Sequence, residues 1–243
     1  MRPHHLVFTV SVLAWGFGCV GLRAEWAVGA YLGTAWTGTS SISLSQPALG
    51  TSLRLDPVSY RTEGFNTPPY YGYRLGYFLD RIGFEAEFIH SKALADTGRN
   101  TRVEGVIRGE PVNSVAALSN FIERFSISHG LNFLVFNAVV RHRFSPARAP
   151  LLNRATLLGR IGLGPTIPHP ESTIGGVSRE EYELGSLGLH FAAGAEIRIV
   201  RGVHALSEYK LTRTNQNVAV PNGHARTRLQ SQHLTFGIAY HFE

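Results

Sequence analysis

One cysteine, Cys19, and one methionine, Met1, are all the sulfur in this 243-residue sequence. A lone thiol cannot form an internal disulfide, so the fold rests on none, even in an oxidising compartment that would permit one. Charged residues are also sparse, at 16%. Past Leu22 no run of about 18 apolar residues occurs, which excludes a helical membrane protein. The formal net charge is +6, and +4 once Arg2 and Arg23 are discounted with the leader described next. So small a surplus, scattered along the chain, is a solvated or lumenal property, and no nucleic-acid partner follows from it. Against these scarcities stand 26 Gly, 14 Phe and 9 Tyr, a strand-rich composition.

Met1 to His5 carries Arg2, Leu6 to Leu22 is free of charge, and Leu22-Arg23-Ala24 offers a cleavage site. This pattern predicts a cleaved secretory signal peptide over residues 1–24, leaving 25–243 as one domain of about 219 residues. A membrane helix of about 17 residues is the rival, at the short end of what spans a bilayer. Cys19 after Gly18 would admit lipoprotein processing, which Trp15-Gly16-Phe17 fits poorly.

The remaining sequence alternates. From His233 to Phe242 one face carries Leu234, Phe236, Ile238, Tyr240 and Phe242, and the other Thr235, Gly237, Ala239 and His241. Lipid on one side of a strand and a polar lumen on the other would select that pattern. Seven further segments alternate: Trp26 to Thr37, Tyr70 to Leu79, Gly83 to Lys92, Asn132 to Arg143, Thr156 to Ile167, Leu187 to Val200 and Ala205 to Thr214. Connections of two lengths separate them. Asp80-Arg81, Ser145 to Asn153 and Arg201 to His204 are short; Gly38 to Pro69, Ala93 to Ser128, Pro168 to Ser186 and Asn215 to Arg226 are long. Short turns belong in the periplasm and long loops outside. The predicted fold is all-β, an eight-stranded antiparallel transmembrane up-and-down barrel in the outer membrane, closed because an open sheet edge has no partner in hydrocarbon.

Eight strands enclose a space that side chains fill. The alternation turns Arg74, Glu85, Glu87, Arg141, Arg160, Glu196, Arg198, Glu208 and Lys210 into it, with Arg143 at its margin. An ion-pair network that plugs the lumen is the prediction. A lipocalin-like barrel, the soluble rival, would hide its apolar residues inside instead.

Across nearly the whole mature chain the sequence resembles a family of small bacterial outer-membrane β-barrel proteins that includes the lipid A oxidases of rhizobia. The resemblance lies in Ser43-Leu44-Ser45-Gln46-Pro47, in Pro68 to Phe78, and in Glu87-Phe88-Ile89-His90-Ser91-Lys92. It continues in Ser128-His129-Gly130-Leu131-Asn132, Gly162 to His169, Glu208-Tyr209-Lys210, and Arg226 to His233. It implies an outer-membrane barrel; for the oxidase members it implies conversion of the proximal glucosamine of lipid A to an aminogluconate with molecular oxygen. It assigns no catalytic residue.

Read from the residues, the extracellular ends place His90, Lys92, Asn132 and His169 on the outward, lipid-facing side. The plain reading is interfacial, with Lys92 reaching a lipid A phosphate and the histidines marking the rim. The sharper one gathers His90, His129 and His169 with Lys92, Asn132 and Glu171 around a lipid A headgroup. In an oxidase, His90, His169 and Glu171 could then hold a divalent transition metal. A register slip at Pro168 or Gly130 would turn these side chains inward. Two classes stay open: a monomeric barrel contacting outer-membrane lipid and lipopolysaccharide, or an enzyme that modifies lipid A.

Overall fold

The computed structural model describes residues 24–61, 68–144 and 152–242, and for 128 and 129 the backbone alone. Apart from Ala24, the leader expected over 1–24 lies outside the described residues. Chain order gives β1 (Ala24–Thr37), β2 (Ser40–Gln46), β3 (Thr51–Val58), β4 (Tyr60–Arg61), β5 (Tyr70–Leu79), β6 (Ile82–Ala95), β7 (Asn100–Ile107) and β8 (Glu110–Ala117). There follow β9 (Arg124–Arg143), β10 (Ala155–Pro168), β11 (Glu171–Ile174), β12 (Val177–Glu180), β13 (Leu187–Val200), β14 (Val203–Val220) and β15 (Gly223–Phe242). No α-helix occurs among the described residues.

All pairings are antiparallel. The main path runs β1-β5-β6-β9-β10-β13-β14-β15, and β1 pairs with β15 as well as β5, so the path returns to its start. Closure is long: Trp26 lies opposite Phe242, and the β1–β15 register holds as far as Thr37 opposite Ser231. These strands contain the alternating segments read from the sequence, with identical limits for β5 and β13.

The long connections differ from expectation. They are not loops but carry β2, β3, β4, β7, β8, β11 and β12, while β14 and β15 simply run on to a turn at Pro221-Asn222. From the ring the sheet continues β15-β2-β3-β7-β8. The reason is a second alternation, apolar on the enclosed side: Ile42, Leu44, Leu53, Leu55, Val103 and Val218 are buried together in a core of their own. Hydrocarbon side chains in a segment that leaves the membrane have only each other to pack against, and pairing supplies their backbone bonds.

The ring interior is stratified rather than uniformly ionic. Along β9 the inward side chains pass through every layer, from Arg141 at the short-turn mouth to Val139, Asn137, Val135, Phe133, Leu131, Ile127 and Phe125. Val139 packs with Ala27, Phe78 and Leu158 as an apolar floor. Phe133, Val135, Leu131 and Ile127 join Tyr31, Tyr70 and Ile89 in an apolar ceiling. Ionic groups occupy the space between. Arg198, expected in the lumen, is exposed, because the β13–β14 register breaks between Arg198 and Val200. Arg143 is also exposed, at the same mouth.

Candidate functional site

Between floor and ceiling, three carboxylates meet three cations. Arg160 holds Glu85 with two nitrogens, Nε at 2.5 Å and Nη2 at 3.0 Å, and reaches Glu208 with Nη1 at 2.9 Å. Arg74 Nη2 donates to Glu87 at 2.9 Å and to Glu208 at 2.5 Å. Lys210 Nζ bonds Glu87 and lies 3.4 Å from Glu208. Tyr31 donates its phenol to Glu87 at 2.7 Å, and Asn137 Nδ2 donates to the other Glu87 oxygen at 2.8 Å. Lys210 also sits 3.9 Å from the centroid of the Tyr31 ring. All six charged groups are almost wholly shielded from solvent. Buried charges persist only when paired and hydrogen-bonded, and here each is.

Sequence reasoning named these six and turned Asn137 inward without giving it a partner; it missed Tyr31, which looks like an ordinary strand residue until ring closure brings its phenol to Glu87. Gly72 is part of the same fit, since a Cβ there would lie 2.1 Å from the Tyr31 oxygen.

The predicted Arg141 and Glu196 lie beyond the apolar floor. Arg141 bonds Glu25, stacks 4.3 Å above the Phe78 ring and reaches the Asp80 carbonyl. Glu196 belongs with His204 and His241, whose partners are 3.6 Å and 2.9 Å away. Sequence reading put His241 on the polar face of the last strand without giving it a partner, and it did not single out Glu25 or His204, which stand just outside the strands read from the alternation.

At the other rim, His90 has the outward parity expected but is buried, not lipid-facing. In the register Tyr71, His90, Asn132 and Ile167 stand in one row. The Tyr71 ring stacks on the imidazole at 4.7 Å, and His90 Nδ1 and Asn132 Oδ1 are 2.8 Å apart. Asn132 Nδ2 donates to the Ile167 carbonyl at 3.1 Å and is buried as well. Lys92 is half-buried where the β6–β9 register shifts between Ser91 and Ala93. His169 stacks on Tyr182 at 4.0 Å, with Glu180 3.7 Å from its Nε2. Glu171 forms an ion pair with Arg124 at 2.6 Å. The His129 side chain lies outside the described residues. His90, His169 and Glu171 do not converge as a metal trio; among the described residues the trio that does is Glu196, His204 and His241.

Outside, the ring is apolar. Trp26 and Trp36 are both half exposed and bracket 11 residues of β1, the span that a tilted strand needs to cross a bilayer. Along β15 the outward face carries Phe242, Tyr240, Ile238, Phe236 and Leu234, then turns polar with Gln232, Gln230, Arg228 and Arg226. On β14 the same change runs from Leu211 to Arg213, Asn215 and Asn217. Opposite partners give Arg228 to Asn215 at 3.0 Å and Arg226 to Asn217 at 3.3 Å, so amides rather than carboxylates meet these guanidinium groups. Sequence reading stopped β15 at His233 and so lost this basic collar; a two-residue period carried ten residues further back would have found it.

A closed antiparallel ring that is greasy outside, ringed by aromatic residues and ionic within defines the class of outer-membrane β-barrel proteins. No family model matches the chain, and no curated protein sequence does. Among solved structures it is similar to Neisserial surface protein A, with 11% identity over 90% of this chain and 98% of that one and a TM-score of 0.42. The outer membrane protease OmpT from Escherichia coli shares 11% over 93% and 100%, with a TM-score of 0.48. The outer membrane protein AlkL, seen in lipid bilayers, shares 10% over 98% and 97%, with a TM-score of 0.39. At these values the likenesses add no weight of their own to the reading of the surface.

Proposed function

We propose that this chain is a monomeric eight-stranded transmembrane barrel that conducts no ions and engages lipopolysaccharide through its extracellular collar. The observation that carries the reading is the neutral set of Arg74, Arg160 and Lys210 against Glu85, Glu87 and Glu208, sealed between apolar layers. A permeating ion would have to break charge-assisted bonds among side chains shielded from solvent. The collar argues for the partner. Arg213 follows the last apolar outward residue of β14, and Arg228 and Arg226 lie beyond Gln232 and Gln230 on β15, a basic collar on the headgroup side of the girdle, where guanidinium groups suit phosphate.

The same geometry supports a non-catalytic role over lipid A oxidation, because His90 is covered by Tyr71 and bonded to Asn132. Purified protein in a planar bilayer is expected to give no single-channel steps. Regular steps that vanish on heat denaturation would refute the plug. Lipid A from cells with and without the gene is expected to have the same mass; a gain of one oxygen atom dependent on the gene would revive the oxidase reading.

A further inference from the structure

The periplasmic mouth holds a cluster that neither plug nor collar uses. Glu196 of β13, His204 of β14 and His241 of β15 bring one ligand atom each within 4.8 Å of the others. Glu196 Oε2 is 2.9 Å from His241 Nε2 and 3.6 Å from His204 Nδ1. That His204 nitrogen is buried and has no hydrogen-bond partner among the described residues. On its far side, His241 Nδ1 lies 3.0 Å from Glu25 Oε1, and Glu25 pairs with both Arg141 and Arg143.

We propose that Glu196 Oε2, His204 Nδ1 and His241 Nε2 form a binding site for a divalent first-row transition ion, with zinc as the type. Nitrogen and oxygen ligands about 2.0–2.2 Å from a tetrahedral zinc lie about 3.3–3.5 Å from one another. The observed 2.9 Å and 3.6 Å straddle that separation, and the third pair, His204 Nδ1 and His241 Nε2, lies within 4.8 Å, so small side-chain rotations would close the three atoms on an ion. Imidazole and carboxylate are the ligand set that zinc and its neighbours prefer. Glu25 supplies what a ligating histidine needs behind it, an acceptor for Nδ1–H that fixes the tautomer and leaves Nε2 for the metal. Arg141 and Arg143 neutralise Glu25, so it orients His241 without competing for the ion.

The proton balance is explicit. His241 bridges two carboxylates, and the cation takes the place of the proton between Nε2 and Glu196, which is released to solvent. The fourth position is left to water. Bound there, the ion ties β13, β14 and β15 together and, through Glu25, braces β15 against β1 where the ring closes.

Barrel refolded in detergent and stripped with EDTA is titrated with Zn²⁺ by calorimetry, with the thermal midpoint followed in parallel. One ion per chain, proton release that scales with buffer ionisation, and a raised midpoint are expected. His204→Ala should abolish the one-to-one binding and the shift; its Nδ1 makes no hydrogen bond among the described residues and meets Glu196 only at 3.6 Å, so the metal-free variant still folds. Glu25→Gln should weaken binding about 10–100-fold, and His224→Ala, exposed at the opposite end, should leave it unchanged. Cobalt(II) provides a check that needs no variant: the wild type should show the intense visible bands of a tetrahedral site. Absence of stoichiometric binding, weak octahedral cobalt bands, or binding that survives His204→Ala would overturn the site.

Discussion

Replacing Glu208 by glutamine tests the plug most directly. Its carboxylate touches all three cations, with Arg74 at 2.5 Å, Arg160 at 2.9 Å and Lys210 at 3.4 Å. Glu208→Gln leaves three buried positive groups against Glu85 and Glu87, and removing one member of a buried pair costs about 3–5 kcal/mol. Lys210→Met creates the opposite imbalance while keeping a side chain of similar length against the Tyr31 ring, and its cost should be of the same order. The double variant is the informative one. It leaves two complete pairs, Arg74 with Glu87 at 2.9 Å and Arg160 with Glu85 at 2.5 Å and 3.0 Å. The double should therefore lose less than the two singles summed, by up to about 3 kcal/mol of coupling. Reversible denaturant unfolding in lipid vesicles, followed by the fluorescence of Trp26 and Trp36, measures all four corners of the cycle. Strict additivity, or a Glu208→Gln cost below about 1 kcal/mol, would refute a neutral, mutually dependent network.

Other outcomes follow from the same geometry. Phe236→Lys, on the outer face opposite Leu32 and about midway between the levels of Trp26 and Trp36, should destabilise by about 2–4 kcal/mol in bilayers; a loss near zero would mean that this face does not meet hydrocarbon. Arg226→Ala with Arg228→Ala should weaken lipopolysaccharide binding and flatten its salt dependence while leaving the unfolding midpoint unchanged, as a surface-plasmon assay over a salt series would report. Gly72→Ala must displace the Tyr31 phenol from Glu87 and should cost about 1–3 kcal/mol, the penalty for a buried charged acceptor that loses a donor; an unchanged denaturation curve would mean that the close contact relaxes freely.

The alternation of single residues was enough to place the ring strands and their inner and outer faces, because a strand repeats every two residues and one side of each met a different solvent. The positions of Phe84, Ile161 and Phe236 outside and of Glu87, Arg160 and Lys210 inside are legible in that period alone. Three things were not. The extension built from β2, β3, β7 and β8 alternates just as the ring does but with its apolar face enclosed, and a period of two is silent on which side a partner lies. The fate of His90 depended on Tyr71 and Asn132, its neighbours in register rather than in sequence. The mouth cluster of Glu25, Glu196, His204 and His241 draws on four strands, two of them more than 150 residues apart along the chain. Sequence fixes the direction each side chain faces through local sterics and solvent preference; only ring closure decides which distant side chains share that direction at bonding distance.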